Sequence, residues 1–524
     1  MNYRVVIPTA GTGSRLGKLT FHINKSLVSI ANRPVLSHQI EQFPEECEFV
    51  IALGYKGELV REFLNITYPE KAFIYVDVDP FEGPGSGLGY SLMCCKAHLQ
   101  QPFVFLSCDT LAKEDIPGPS QNWMGCALRE DLDSYRTVSI GKKHIKSIHE
   151  KGDFSADNLH AYIGLAGIKD HDQFWAAMHE GGGIALEQGE VYGLRALQKK
   201  VPLSAFLFTW FDSGSPAALD QARSAYRLPN EPNILGKEKE AIWFVGRRVV
   251  KFSVDQHFIA NRVQRAEKLK GFTPNLLAST KHMYSYEKVQ GRVLSEVVTL
   301  PMFEALLQHS KSFWVRAQLT TEQRIEFENK CKEFYCNKTR ERVNLFYQNF
   351  GKQDGSQPIN DEPMPLMSTL LSQVDWETLS KGIPGRFHGD FHFENIIWRP
   401  ESKTFTFLDW RQDFGGDLNV GDVYYDLAKL LHGMIVSHKL IAANLFSVIW
   451  SDSEIRFDLH RRQVLVDCEI YFSEWCAENG YDYAKIRVLT ALIYINIAAL
   501  HHQPYSLMLY ALGKQMLAKE LGPK

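Results

Sequence analysis

Long apolar runs are missing from this chain of 524 residues, and so is any marked excess of one charge. The most apolar late stretch, residues 488–501, is too short and too closely flanked by charge and histidine to cross a bilayer, which takes about 20 apolar residues. Its 58 basic and 61 acidic side chains leave a formal net charge of −3, so neither nucleic acid nor an acidic membrane surface is favoured as a partner. Cysteine is sparse: nine residues, none in the paired spacing of a metal site, with Cys94 and Cys95 adjacent. Reduced thiols in a cytoplasmic protein are the simplest account. The opening MNYRVVIPTAG reads as a strand entering a loop, with no cleavable signal. No repeat of solenoid length is evident. What remains is a globular composition, 45% hydrophobic and 23% charged. A prior of roughly 100–200 residues per domain then predicts two to four domains.

The most informative stretch is RFHGDFHFENIIWRPESKTFTFLDWR, residues 386–411. It spaces His388, Asp390, Asn395 and Asp409 in a way that suits phosphoryl transfer. That chemistry needs a carboxylate to orient and deprotonate the attacking hydroxyl, and ligands for the Mg²⁺ that holds the nucleotide phosphates. Asp390 is the candidate base. Asn395, five positions on, can point at a metal beside it. The run after Asn395 reads as a β-hairpin that returns Asp409 to the same corner as a charged metal ligand. The bland alternative is a loop with a capping Asp and a turn Asn.

These residues resemble the phosphotransferase family that includes aminoglycoside phosphotransferases and choline kinases. Protein kinases carry H-R-D and D-F-G at these places; Gly389 and the run Asp409-Trp410-Arg411 point instead to a small-molecule acceptor. The segment GDVYYDLAKLL, residues 421–431, is similar to the family's G-D-x-x-x-D-L-A, where Asp426 is expected to brace the catalytic loop. His388 and Trp410 are assigned to the substrate side.

The first half opens with a β-branched run into a loop of small residues, Thr9 to Gly17, through which backbone N–H groups can approach a phosphate. A dinucleotide site wants a third glycine and an acid after the second strand. Leu16 stands at the third-glycine position, and EFVIALG ends without an acid. A nucleoside-triphosphate loop would use Arg15 and Lys25 as its cations. Taken bare, the glycine pair serves a plain βα turn equally well. Yet TAGTGSRLGKLTFHINKSLVSIANRPV resembles the signature of sugar-1-phosphate nucleotidyltransferases at Gly11, Gly13, Arg15, Lys25 and Pro34, with Asn24 where the family usually has proline. Thr12 and Ser14 belong to the same loop. FEGPGSGLGY, with Gly83, Gly85 and Ser86, is similar to the family's second glycine loop, which receives the base. FVFLSCDT ends a hydrophobic strand at Asp109, in the position of a metal site at the carboxyl end of an open α/β sheet; an N-cap is the alternative. By the same resemblance Glu150 and Lys151 contact the sugar and its phosphate, and WFDSGSP brings Asp212 to the Mg²⁺ of Asp109.

Residues 224–239 carry two prolines in a polar stretch and read as a connector. EAIWFVGRRVVKF reads as two strands about a Gly246-Arg247 turn, ending at Lys251, which is expected to reach ATP phosphates as a strand lysine does in kinases. Glu267 is its expected partner, with Glu240 second. Glu287 to Val289 falls where these kinases place the hinge that meets adenine. Residues 301–380 and 430–520 read as mostly helical.

The expected architecture is therefore α/β: a doubly wound, Rossmann-like nucleotidyltransferase domain over 1–228, then a bilobal α+β kinase-like domain over 229–524, with lobes meeting near 295. The resemblances imply a bifunctional enzyme using ATP, a second NTP, Mg²⁺ at both sites and a small molecule. A sugar phosphorylated at its anomeric hydroxyl is preferred. A choline or ethanolamine kinase joined to a CTP-dependent cytidylyltransferase is the second reading, and a regulatory protein built on inactive enzyme domains the third.

Overall fold

The computed structural model describes residues 3–227 and 237–522, so most of the expected connector lies outside the described residues. The chain forms two compact units, Met1–Ile259 with Leu277–Lys288, and Ala260–Leu276 with Val289–Lys524.

The first unit is built on a nine-stranded sheet. Its strands are β1 (Arg4–Pro8), β2 (Glu48–Leu53), β3 (Phe73–Asp77), β4 (Phe103–Leu106), β5 (Trp123–Ala127), β6 (Thr137–Gly141), β7 (His144–His149), β8 (Leu159–Ile168) and β9 (Ser204–Leu207), in the order β3-β2-β1-β4-β8-β5-β9-β7-β6. The first four pair in parallel, with helices Gly57–Thr67 and Leu88–Cys95 in the connections. The three inner ones, β2, β1 and β4, are buried and read as continuous apolar runs such as VVI and FVFL, while β3 at the edge is half-buried. Beyond β4 the sheet turns mixed: β8 lies antiparallel to both β4 and β5. A two-stranded ribbon pairs Trp210–Asp212 with Thr110–Ala112, setting Asp212 opposite Thr110.

The hairpin expected around Gly246-Arg247 is present, with Val245 paired to Arg248 across a two-residue turn. Its strands, Glu240–Val245 and Arg248–Ser253, join Met283–Glu287 and Leu276–Ser279 in a four-stranded sheet. The compact units do not follow the boundary expected at 228/229, since this hairpin and Leu277–Lys288 belong to the first. The reason is burial. Trp243 is fully buried, edge-on to Phe63 at 5.2 Å, and its indole N–H donates to Ser29 Oγ at 2.9 Å. Phe244 N–H donates to the Asn32 carbonyl at 2.9 Å. Glu62 Oε1 meets His282 Nδ1 at 2.9 Å, and Glu62 Oε2 accepts the His282 backbone N–H at 3.0 Å.

The second unit is largely helical, with a small sheet of Arg292–Val293, Ile396–Arg399 and Thr404–Phe407 under the catalytic stretch. Phe272, Phe313, Phe391 and Phe407 pack face-on and edge-on against one another, at ring separations from 4.9 to 6.2 Å. The helix Val423–Ile435 is apolar almost all round and packs against Tyr483–Ala498. The late helical run expected over 430–520 is broken by an antiparallel hairpin, Phe446–Trp450 with Ile455–Leu459. Those strands alternate half-buried and exposed residues, and Ser451 Oγ accepts the Glu454 N–H in the turn. No helix among the described residues is long and apolar enough to cross a membrane.

Truncating Trp243 removes a buried aromatic with a satisfied N–H. Trp243→Ala should destabilise the first unit by about 3–5 kcal/mol in urea unfolding, the usual range for a buried aromatic cut to alanine. A loss below about 1 kcal/mol would show that the hairpin is not part of that core.

Two candidate active sites

In the first unit the loop after β1 starts from a fixed point. Thr9 gives both its N–H and its hydroxyl to the Ala52 carbonyl, at 2.9 and 2.8 Å. Gly13 has φ +66°, and a Cβ there would stand 2.9 Å from Lys25 Cβ, so only glycine lets the loop close on that lysine. Gly11, Ser14 and Arg15 are exposed, and Thr12 is half-buried. Asn24 fills a proline-like place with φ −69°. Its amide donates to the carbonyls of Thr9 at 2.9 Å and Tyr55 at 2.6 Å, and its Oδ1 accepts from Ser26 N–H and Oγ. The departure from the proline pattern therefore clamps the loop with hydrogen bonds instead of a ring.

Lys25 Nζ lies 2.9 Å from Asp109 Oδ2, and an Arg15 Nη lies 4.0 Å from the same oxygen. Ser107 donates to Asp109 Oδ1 at 2.6 Å. Burial works against ionising Asp109, but Lys25 and these donors hold its pKa at about 2. Ser213 N–H donates to the Asp109 carbonyl at 2.9 Å, which locks the two strand ends together. Asp212 Oδ1 accepts the Gly214 N–H at 2.8 Å. Burial first, and then the charge of Asp109, raise the pKa of Asp212. A Cβ placed on Gly214 would stand 2.9 Å from Arg15 Nη2, 3.0 Å from Asp212 Oδ1 and 3.1 Å from Asp109 Oδ2. Two carboxylates and a guanidinium thus face one small space.

The second glycine loop is exposed. Gly83 and Gly85 have φ of +88° and +86°, and Ser86 Oγ donates to the Gly83 carbonyl at 2.7 Å. Among the described residues no hydrogen bond ties it to the Asp109 cluster. Glu150 is held by Arg136 at 2.9 Å and Arg195 at 2.7 Å, while Lys151 is exposed. Sequence reasoning missed Glu190. The residue is 3% exposed, and burial pushes its pKa up to about 7 against the opposing influence of Arg136 and Tyr162.

In the second unit the candidate catalytic loop hangs from Asp426. Its carboxylate accepts the N–H groups of His388 at 2.7 Å and Gly389 at 2.6 Å, and the Trp314 indole N–H at 3.1 Å. Gly389 has φ +87°, and a Cβ there would meet Arg411 Cβ at 2.5 Å, so this position requires glycine. Asp390 emerges with 37% of its side chain accessible. Lys429 Nζ lies 2.9 Å from its Oδ1, and Oδ2 faces His392 Nε2 at 3.4 Å. Burial opposes its charge, but Lys429 and His392 hold its pKa well below the usual carboxylate range. Asn395 donates to Asp390 Oδ2 at 3.1 Å, and Leu408 N–H donates to the Asn395 carbonyl at 2.7 Å. Asp409, in the strained left-handed region at φ +59°, pairs with Arg262 at 3.0 Å. The expected hairpin therefore does return Asp409 to the loop.

Other expectations fare differently. His388 and Trp410, expected to meet substrate, are 0% and 1% exposed. The His388 ring accepts the Asp390 N–H at 3.2 Å, and Trp410 donates to the Arg262 carbonyl at 2.9 Å. Both are core supports of the loop. Lys251 is nearly buried on its strand. Glu267 is exposed on the helix Gln256–Lys268, which turns Arg262 and Arg265 towards the catalytic loop. Arg265 is buried and donates to the carbonyls of Phe387 and Arg411. Glu287 ends its strand paired with Arg247; Val289 is half-buried. Lys429, His392, Arg262 and Arg265 were not singled out from sequence.

Comparison with known proteins agrees with this layout. Residues 5–116 match the family model described as MobA-like NTP transferase domain, and residues 361–465 match that of the phosphotransferase enzyme family. The chain is 22% identical over 265 residues to "Bifunctional protein GlmU" of Methanococcus vannielii, covering 48% of this chain and 61% of that protein. It is 39% identical over 62 residues to "Probable glucose-1-phosphate cytidylyltransferase" of Bacillus subtilis, covering 12% and 24%. The chain thus spans less than two thirds of the length of either relative. A solved putative glucose-1-phosphate thymidylyltransferase of Bacillus anthracis aligns at 18% identity with a TM-score of 0.37, over 45% of this chain and 98% of its own.

Glu190 gives a pH test. The folded chain keeps a proton at about 7 that the unfolded chain releases near 4.5, so this group's contribution to stability declines as pH rises between those values and then levels. In urea unfolding from about pH 5 to about pH 8, Glu190→Gln should lose less stability than the parent chain, by on the order of 1–3 kcal/mol. Parallel pH profiles would show that Glu190 titrates normally in the fold.

Proposed function

We propose that this chain, which joins a nucleotidyltransferase domain to a kinase-like phosphotransferase domain, phosphorylates a small molecule with ATP and then activates the product with a second NTP. In the first step the acceptor hydroxyl oxygen attacks the γ-phosphorus of ATP. The bond from that phosphorus to the β-bridging oxygen breaks, ADP leaves, and the hydroxyl proton passes to the carboxylate of Asp390. In the second step a phosphate oxygen of the phosphorylated compound attacks the α-phosphorus of the NTP, and pyrophosphate leaves. That step moves no proton; Arg15 and Lys25 offset charge on the departing group. In this reading Gly11 to Ser14 cradle the triphosphate of the second NTP, and Gly83, Gly85 and Ser86 meet its base. Lys251, Glu287 and Val289 serve ATP, while Glu150 and Lys151 hold the phosphorylated compound.

Both sites have the donor set of a hard divalent cation. Asp109 and Asp212 offer carboxylate oxygens around the space beside Gly214, and Asp409 and Asn395 offer a carboxylate and an amide. Mg²⁺ bound there would neutralise and orient the nucleotide phosphates.

The observation that carries the proposal is the pairing, in one chain, of two partly accessible carboxylates each held ionised by a lysine at 2.9 Å: Asp109 with Lys25, and Asp390 with Lys429. Intact polar machinery at both places argues against a regulatory protein on inactive domains. A sugar activated at its anomeric position is the preferred compound, supported by the Bacillus subtilis relative, a probable glucose-1-phosphate cytidylyltransferase.

Asp390→Ala should cut ATP-dependent phosphorylation by about 10²–10⁴-fold, the usual worth of a general base, and leave nucleotidyl transfer to supplied phosphorylated compound within about twofold. Asp109→Ala should do the reverse. Both can be read by mass from one incubation series of ATP, the common NTPs, and free sugars and amino alcohols. Loss of both activities in either variant would contradict two separate sites.

A further inference from the structure

The surroundings of Asp390 hold more positive charge than its own carboxylate and its neighbours balance. Lys429 is paired with Asp390, but Lys338, Arg342 and Arg411 form no ion pair among the described residues; Lys338 and Arg342 stand four residues apart, on one face of the helix Lys338–Phe350. Lys338 Nζ lies 4.1 Å from the ring centre of Phe334, and the Arg411 guanidinium lies 4.9 Å from the centre of the same ring. Arg411 flanks the catalytic loop, since its Cβ would touch any side chain at Gly389. Its Nε is buried with no hydrogen-bond partner among the described residues. The acids nearby have other partners: Glu394 bonds His392, Asp409 pairs with Arg262, Asp413 accepts the Gly416 N–H, Asp417 pairs with Lys330, and Asp426 holds the loop backbone.

Resting on the kinase reading above, we propose that the compound phosphorylated at Asp390 carries an anionic group, a carboxylate or a phosphate, in addition to its reacting hydroxyl. The anion is held by Lys338, Arg342 and Arg411, so that hydroxyl and base meet with the negative group already compensated. The same charge excludes a quaternary or primary ammonium acceptor, because a cation brought among four basic side chains is repelled. The titration of Lys338 is in keeping with this. Burial, then Arg411, Lys429 and Arg342, push it down to about 7, a state that a bound anion would reverse.

The test uses the full chain with ATP and matched acceptors: glucose, glucuronate, glucose 6-phosphate, choline, ethanolamine and an aminoglycoside. Preferential turnover of glucuronate or glucose 6-phosphate supports the inference and tells carboxylate from phosphate. Lys338→Gln and Arg342→Gln should raise the KM for the anionic acceptor at least about tenfold. Their KM for ATP and their nucleotidyl transfer should stay within about twofold, and Lys338→Arg should restore most of the loss. Better turnover of glucose, choline, ethanolamine or the aminoglycoside would overturn the inference and leave the kinase reading standing, as would a raised KM for ATP in either variant. If no compound in the panel is phosphorylated, the kinase reading fails, and calorimetry with glucuronate and glucose 6-phosphate then decides the anion site alone. Binding to the parent chain but not to Lys338→Gln supports it, and no binding overturns it.

Discussion

The N–H groups of His388 and Gly389 both end on the carboxylate of Asp426, and the geometry of the second site follows from that bond pair. A buried carboxylate without donors is costly, and burial has already raised the pKa of Asp426 to about 6. Here two backbone donors and the Trp314 indole satisfy it, and in return it fixes the backbone that carries Asp390. Gly389 makes the turn, Arg411 closes over it, and Arg265 ties the carbonyls of Phe387 and Arg411 together from the other side. The loop of the first unit is held by the same device with other atoms. There Asn24 draws Thr9 and Tyr55 onto one amide and caps the turn that presents Lys25.

Charge compensation is the second constraint, and it explains why each acid needs its cation. Asp109 and Asp212 are close enough for each to disfavour ionisation of the other, and burial adds to the cost. Lys25 and Arg15 keep Asp109 ionised, which leaves Asp212 as the carboxylate that a divalent ion would relieve. In the second unit the balance tips the other way. Asp390 has Lys429 and a His392 whose pKa rises to about 9, with burial outweighed by Asp390 and Glu394. The acids of the first site thus favour a cation, while the second has, beside the carboxylate and amide of Asp409 and Asn395, a surplus of basic side chains around Asp390.

What could be read from the chain depended on how local the signal was. Asp390, Asn395 and Asp409 stand on one loop and one hairpin, so their spacing alone placed them at one corner. The Gly246-Arg247 turn between alternating strands was equally local. Asp109 and Asp212 meet only because a ribbon pairs 110–112 with 210–212, a partnership that no spacing reveals and that family resemblance supplied. Lys429 sits in an apolar helix, where a lysine normally reads as a solvated interruption, and Arg262 and Arg265 share a helix with the more conspicuous Glu267. Their roles come from which helix face packs on the loop. Glu190 is one acid among many until its burial is known. His388 and Trp410, one or two positions from Asp390 and Asp409, turn into the core and support the loop, an orientation that adjacency in sequence does not tell. A strand pattern such as EAIWFV tells that Trp243 is buried but not against which neighbour, so its packing on Phe63 was not legible.

The central claim is that one chain puts a phosphate on a compound and then links a nucleotide to that same phosphate. It is tested most directly by following the γ-phosphate of labelled ATP in a single incubation with the full chain, a second NTP and the accepted compound. The account predicts that the label ends as the phosphate between the compound and the nucleoside α-phosphate, with unlabelled pyrophosphate released. Label that stays in a phosphorylated compound, or passes to inorganic phosphate, while no nucleotide-linked product forms, would contradict it.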